Sequence, residues 1–177
     1  LTIHYTYDDK GRIITEEYKR DIDSSGEIVR SLSFNKERIE YSDYGDQMKL
    51  TRYNNYDLPY LDEFVRYDSI GYLVEKVERI RMTSTTYTNT FAYDDHGKLA
   101  SIQKTSNRKD GIIEEFKFRY DELGNLIEKH VYKDGVFTTD IQIIYNSKSK
   151  LLATVITKQV STGFMMILRF QDYAFYD

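Results

Sequence analysis

The heptapeptide Tyr7-Asp8-Asp9-Lys10-Gly11-Arg12-Ile13 returns three times with substitutions. The later copies are Tyr67-Asp68-Ser69-Ile70-Gly71-Tyr72-Leu73, Tyr93-Asp94-Asp95-His96-Gly97-Lys98-Leu99 and Tyr120-Asp121-Glu122-Leu123-Gly124-Asn125-Leu126. A worn copy follows at Tyr145-Asn146-Ser147-Lys148-Ser149-Lys150-Leu151. From Tyr67 to Tyr145 the copies are spaced by 26, 27 and 25 residues. A fixed period of this size belongs to stacked repeats rather than to a single active-site motif. It therefore constrains architecture far more than function.

Each position of the heptapeptide has a physical task. The tyrosine closes a strand. The Asp side chain bonds the backbone two residues on and starts a turn. Glycine, three residues after the Asp, supplies a positive φ. Leu or Ile opens the next strand. The element is a hairpin with a loop of about four residues.

A second set of turns lies between these, at Asp23-Ser24-Ser25-Gly26, Lys109-Asp110-Gly111, Lys133-Asp134-Gly135 and Ser161-Thr162-Gly163. Met82 to Thr86 does the same job without glycine. Helical periodicity is missing, and alternation replaces it: Phe116, Phe118 and Tyr120 share one face, Lys117 and Arg119 the other. The strands are expected at 2–7, 11–22, 27–41, 46–53, 60–67, 72–82, 86–93, 98–106, 112–120, 125–132, 136–145, 150–160 and 164–171. Phe34-Asn35-Lys36-Glu37, Tyr41-Ser42-Asp43-Tyr44-Gly45 and Tyr53-Asn54-Asn55-Tyr56-Asp57 read as degraded turns in the least regular stretch.

The fold class is all-β, an antiparallel meander of about thirteen strands in a single domain over 1–177. No helix is available to cover an apolar sheet face. Thirteen strands also exceed the roughly ten that an open twisted sheet holds comfortably. The expectation is a strongly curled sheet, barrel-like or spiral, with a two-layer β-sandwich as the alternative.

Composition supports strands, with 17 Tyr, 9 Phe and no Trp. Basic and acidic side chains number 25 and 29 without a basic stripe, so no nucleic-acid partner is expected. The absence of cysteine excludes disulfides and thiolate metal sites. No apolar run approaches the ~18 residues of a membrane helix. A membrane barrel is disfavoured because Tyr72, Val74, Lys76, Glu78 and Ile80 would mix charges into one lipid-facing row. The chain opens at Leu1 inside a strand pattern, which reads as a processed or excised domain, a removed secretory signal being one route to it.

The motif Tyr-Asp-x-x-Gly-x-Leu/Ile, at Tyr7, Tyr67, Tyr93 and Tyr120, resembles the YD repeats of Rhs proteins, insecticidal toxin complexes and teneurins. Copies at Tyr41 and Tyr145 depart from it, and the similarity weakens over 27–62. The resemblance implies spiralling antiparallel sheets that enclose or support other domains, in a bacterial protein that is secreted or held at the cell envelope. It also implies a chain without catalysis of its own, and it brings an association with carbohydrate binding.

Candidate chemistry is sparse. His4, His96 and His130 are the only histidines, without ligand-like spacing, and read as exposed polar positions. Asp21-x-Asp23-x-Ser25-Gly26 begins like a calcium loop, yet position twelve is Leu32 where a bidentate Glu is needed. Adjacent acids, as in Glu16-Glu17, Asp94-Asp95 and Glu114-Glu115, point to opposite faces of a strand and make no glycosidase pair. No nucleophile elbow or phosphate-binding glycine loop occurs. No catalytic residue, metal or cofactor is expected. The tyrosines remain. Tyr53, Tyr56 and Tyr60 fall in the irregular segment and are the candidate ligand-binding cluster, since a Tyr ring stacks on sugars or peptides while its hydroxyl stays polar.

Three readings follow. The first is a non-catalytic β-repeat scaffold or interaction module of a secreted or envelope protein. The second is a carbohydrate- or peptide-binding module using exposed tyrosines. The third is a glycoside hydrolase-like enzyme with two carboxylates from separate strands. The partner is a protein or a carbohydrate, and the oligomeric state is open.

Overall fold

The computed structural model describes residues 2–24, 27–171 and 173, and divides into two compact units, Leu1–Tyr87 and Thr88–Asp177. The first unit contains β1 (Thr2–Tyr7), β2 (Ile13–Ser24), β3 (Glu27–Tyr44), β4 (Gln47–Tyr53), β5 (Pro59–Tyr67) and β6 (Leu73–Ile80). The next strand, β7 (Thr85–Tyr93), carries the chain onward. The second unit contains β8 (Leu99–Ser106), β9 (Glu114–Tyr120), β10 (Leu126–Lys133), β11 (Val136–Tyr145), β12 (Leu152–Gln159) and β13 (Met165–Arg169). Within each unit every strand pairs antiparallel with its neighbours in sequence. The all-β antiparallel meander is therefore the fold, and no helix occurs among the described residues.

The Tyr-Asp turns form as their residues require. In the turn from Asp94, the Asp94 amide donates to the Lys98 carbonyl (2.9 Å) and the Gly97 amide to the Asp94 carbonyl (2.9 Å). One Asp94 carboxylate oxygen accepts the amides of His96 and Lys98, each at 2.9 Å. Gly97 sits at φ 75°, where a side chain would be strained. Asp8, Asp68 and Asp121 make the same pattern. Those backbone bonds hold the Asp94 and Asp8 carboxyls below the ordinary aspartate range. For Asp121 the amide side chain of Asn125 is the leading cause of the same lowering.

Four turns of this kind carry a β-bulge. Tyr7 pairs with Ile13, Tyr67 with Leu73, Tyr120 with Leu126 and Tyr145 with Leu152, and one residue after each is skipped in the register. Bulges increase local twist. The segment Tyr53-Asn54-Asn55-Tyr56-Asp57 proves to be a full member of this set. Asn54 accepts from the amides of Tyr56 and Leu58, Asp57 stands at φ 58° in the glycine place, and Tyr60 is the skipped residue. At Tyr145 the turn is one residue longer, with Lys150 at φ 61°.

Two expected turns are strand instead. Phe34–Glu37 lies inside β3, where Lys36 faces Glu17 and Asn35 faces Tyr18 across the ladder. No glycine interrupts the segment, and the opposite charges favour pairing. Tyr41–Tyr44 completes β3, which reverses at Gly45-Asp46 instead. The turn expected at Ser25-Gly26 lies outside the described residues.

The curl inferred from strand number is not found. Within neither unit does any strand pack on another beyond its ladder neighbours, and no described ladder joins β1 to β6 or β8 to β13. Each unit by itself is an open single layer, neither closed nor sandwiched. In several strands, such as β6 (LVEKVERI) and β9 (EEFKFRY), charged residues are interleaved with apolar ones, which lets their faces meet water. Among the described residues, only Ile39, Val65 and Val131 are buried hydrophobics, and none of the larger side chains is fully buried.

Candidate functional site

Tyr53, Tyr56 and Tyr60 do not converge. The Tyr53 hydroxyl donates to Glu40 (2.6 Å), and the Arg38 guanidinium lies over its ring at 3.9 Å. The Tyr60 hydroxyl donates to Glu37 (2.8 Å). Glu37 and Glu40 are three residues apart on β3, so they face opposite sides of the sheet. Burial, then the Glu37 hydrogen bond, pushes the Tyr60 phenol up to about 12. Tyr56 stands at the turn tip and is 77% exposed. Its place corresponds to Lys10, Ile70, His96 and Leu123 in the other copies.

The repeat tyrosines have a structural post. Tyr41, Tyr120 and Tyr145 donate their hydroxyl protons to the carbonyl oxygens of Ile13 (2.9 Å), Leu99 (3.0 Å) and Leu126 (3.2 Å). Tyr173 makes the same bond to Leu152. Every acceptor lies just past the glycine position of the preceding turn. Arg12 and Lys98, one residue earlier, hold their cations 4.3 and 5.4 Å from the Tyr41 and Tyr120 ring centres. Successive turns along one edge are thus riveted by tyrosine.

The first unit carries a charged lattice on both faces of β4 to β6. Asp62, 5% exposed, accepts from Arg81 (2.8 and 2.9 Å) and from the Thr51 hydroxyl (2.9 Å). The Arg81 bonds are the leading reason its carboxyl lies below the aspartate range. On the other face Glu63, also 5% exposed, is held by Arg52 (2.7 Å) and Lys76 (2.7 Å). Burial pushes the Glu63 carboxyl up, but the Arg52 and Lys76 hydrogen bonds outweigh it, and the net shift is downward. Beside Asp62 a shallow groove of about 530 Å³ is lined by Lys49, Phe64, Arg79 and Arg81.

In the second unit Glu128, His130 and Asp140 share one face. Arg119 donates to Glu128 at 2.7 Å and is the chief cause of its carboxyl lying below the glutamate range. In the sequence His130 looks isolated, because Asp140 reaches it only across the β10–β11 register. The legible part of the signal was Glu128-x-His130, two positions apart on one strand. His96 sits in the Asp94 turn and lines a shallow groove with Asp94, Asp121 and Glu122. No described acid in the Glu16-Glu17 or Glu114-Glu115 pairs is brought into a cleft with its neighbour.

At the end of the second unit β13 pairs only with β12 among the described strands. Met165, Met166, Ile167 and Leu168 are all exposed there.

A family model described as an uncharacterised protein matches residues 88–165. Among curated proteins none matches the chain. Solved structures similar to it include a porin-like protein from Bacteroides uniformis, at 12% identity and TM-score 0.46, over 94% of this chain and 86% of that one. The Photorhabdus luminescens Tc holotoxin pore is similar at 15% identity and TM-score 0.48, over 94% of this chain and 9% of that one. This chain therefore spans a small part of the toxin chain. No helix among the described residues is long and apolar enough to cross a membrane.

Proposed function

We propose that this chain is a non-catalytic β-repeat scaffold or interaction module of a secreted or cell-envelope bacterial protein, akin to YD-repeat proteins. The observation that carries the reading is the near-absence of a closed core: among the described residues, three buried hydrophobic side chains serve the thirteen strands. Order comes from ladders, turns and tyrosine rivets. Both broad faces stay open, as a surface-presenting part requires. The apolar β13 edge supports an interaction role, because unpaired strand edges accept further strands. The secreted or envelope setting rests on the turn motif's resemblance.

Absence of catalysis is part of the proposal. Glu128 and Asp140 each bring a carboxylate oxygen within 4.8 Å of the other, but Arg119 keeps Glu128 ionised, which unfits it as a general acid near neutral pH. Chromogenic glycosides incubated with the native chain test this. Turnover that Glu128→Gln abolishes would sink the scaffold reading, and no turnover is expected.

The second reading is carbohydrate or peptide binding through exposed tyrosine, and Tyr56 favours it by its exposure. A glycan array compares the native chain with Tyr53→Ala and Tyr56→Ala. Binding lost only in Tyr56→Ala supports a stacking site at the turn tip. No binding by the native chain removes the carbohydrate version.

A further inference from the structure

The face of the second unit that bears His130 carries a constellation that turn chemistry does not require. Glu128 and His130 are two apart on β10 and share a side of the sheet, and register sets Asp140 of β11 opposite His130. His130 Nε2 stands 3.4 Å from Asp140 Oδ1 and 3.6 Å from Glu128 Oε2. Donor atoms of all three lie within 4.8 Å of one another.

The two imidazole distances are too long for good hydrogen bonds, which cluster at about 2.9 Å. They fit the edges of a metal tetrahedron. With zinc–ligand bonds of about 2.0–2.2 Å, neighbouring ligand atoms stand roughly 3.3–3.6 Å apart. A separate observation points the same way. Asp140 Oδ1 is shut off from solvent and has no hydrogen-bond partner among the described residues. Buried carboxylate oxygens ordinarily have one.

Neighbouring side chains contact the donors from several sides. Gln142 donates its amide to Asp140 Oδ2 at 3.3 Å, which leaves Oδ1 turned to the imidazole. Arg119 occupies one lone pair of Glu128 Oε2 at 2.7 Å. Phe137 sets its ring edge-on to His130 at 5.0 Å between centres. Lys117, opposite His130 in register, is drawn to Glu115 (3.5 Å) and the Tyr132 ring (4.9 Å). Lys158 faces Asp140 from β12. Contacts of this kind, which orient ligands from behind, are what metal sites use to fix geometry.

We propose that Glu128, His130 and Asp140 form a mononuclear site for Zn²⁺ or a similar divalent transition metal. The donor set is two carboxylates and one imidazole, with Arg119 already paired to Glu128. Three protein ligands suit tetrahedral zinc with a fourth, exchangeable position. Ca²⁺ calls for six or more oxygens, and a soft cuprous ion for sulfur, neither of which this face supplies. The site bridges β10 and β11, so the ion acts as a staple across one hairpin, and its binding energy adds to folding stability.

The test uses the full chain, stripped with chelator and titrated with ZnCl₂ by calorimetry. CoCl₂ absorption then reports the coordination geometry. One zinc per chain is expected, with a rise in Tm of about 5 °C or more at saturating metal. His130→Ala, Glu128→Gln and Asp140→Asn should each weaken binding at least tenfold, while His96→Ala binds as the native chain does. Circular dichroism certifies that each variant keeps its sheet. Absence of zinc binding by the native chain, or native affinity in any folded variant of the three, overturns the site.

Discussion

The hydroxyl of Tyr120 donates to the carbonyl oxygen of Leu99 across 3.0 Å, tying one Tyr-Asp turn to the next. Two strands separate consecutive turns on the same edge, and a tyrosine side chain is long enough to span that gap. The same bond forms at Tyr41 and Tyr145, so at these positions tyrosine supplies a contact that another aromatic would not. Phenylalanine would fill the space and leave a carbonyl unpaired.

Tyr120→Phe should therefore lower stability by about 1 kcal/mol, the typical net worth of one hydrogen bond. Urea unfolding measures it. An unchanged midpoint would show that the rivet contributes nothing. Tyr44→Phe is the control, since that side chain is 64% exposed.

Left-handed positions give a pair of opposite expectations. Gly71 lies at φ 94° with open space around its would-be Cβ, so Gly71→Ala introduces backbone strain without a clash. It should cost about 1 kcal/mol. Lys150 lies at φ 61° in the equivalent place, and Lys150→Gly should gain up to about 1 kcal/mol. Thermal melts of both variants should move in opposite directions.

Acid should weaken the first unit through Asp62 and Glu63. Both carboxyls titrate lower in the folded chain than in the unfolded one, where they sit near about 4. Their contribution is complete above that value and is lost as pH falls through the depressed folded values. Chemical unfolding followed between pH 7 and pH 2 should show a steep loss below about pH 4. Asp62→Asn should flatten that slope and cost about 2 kcal/mol at pH 7, because Arg81 would lose its buried partner. A slope unaltered by Asp62→Asn would refute the assignment.

Local chemistry, spelled out residue by residue, determined the strands and the turns. Asp or Asn at the turn start, glycine three residues later and alternation between them act within a few residues, so sequence alone placed the described strands to within a few residues, although it set turns inside β3. Even Asn54 to Asp57, which lacks glycine, kept enough of the pattern to be read as a worn turn. Tertiary structure decided whatever depends on distance across ladders. Tyr53 and Tyr60 look like neighbours in sequence, yet the bulge at Tyr60 and the two-residue period of β3 send their hydroxyls to opposite faces. Glu128, His130 and Asp140 meet only because the β10–β11 register aligns them. The openness of each layer was likewise invisible in the sequence. Strand number sets how much sheet there is, but ladder pairing and the wetting of both faces decide whether it must close.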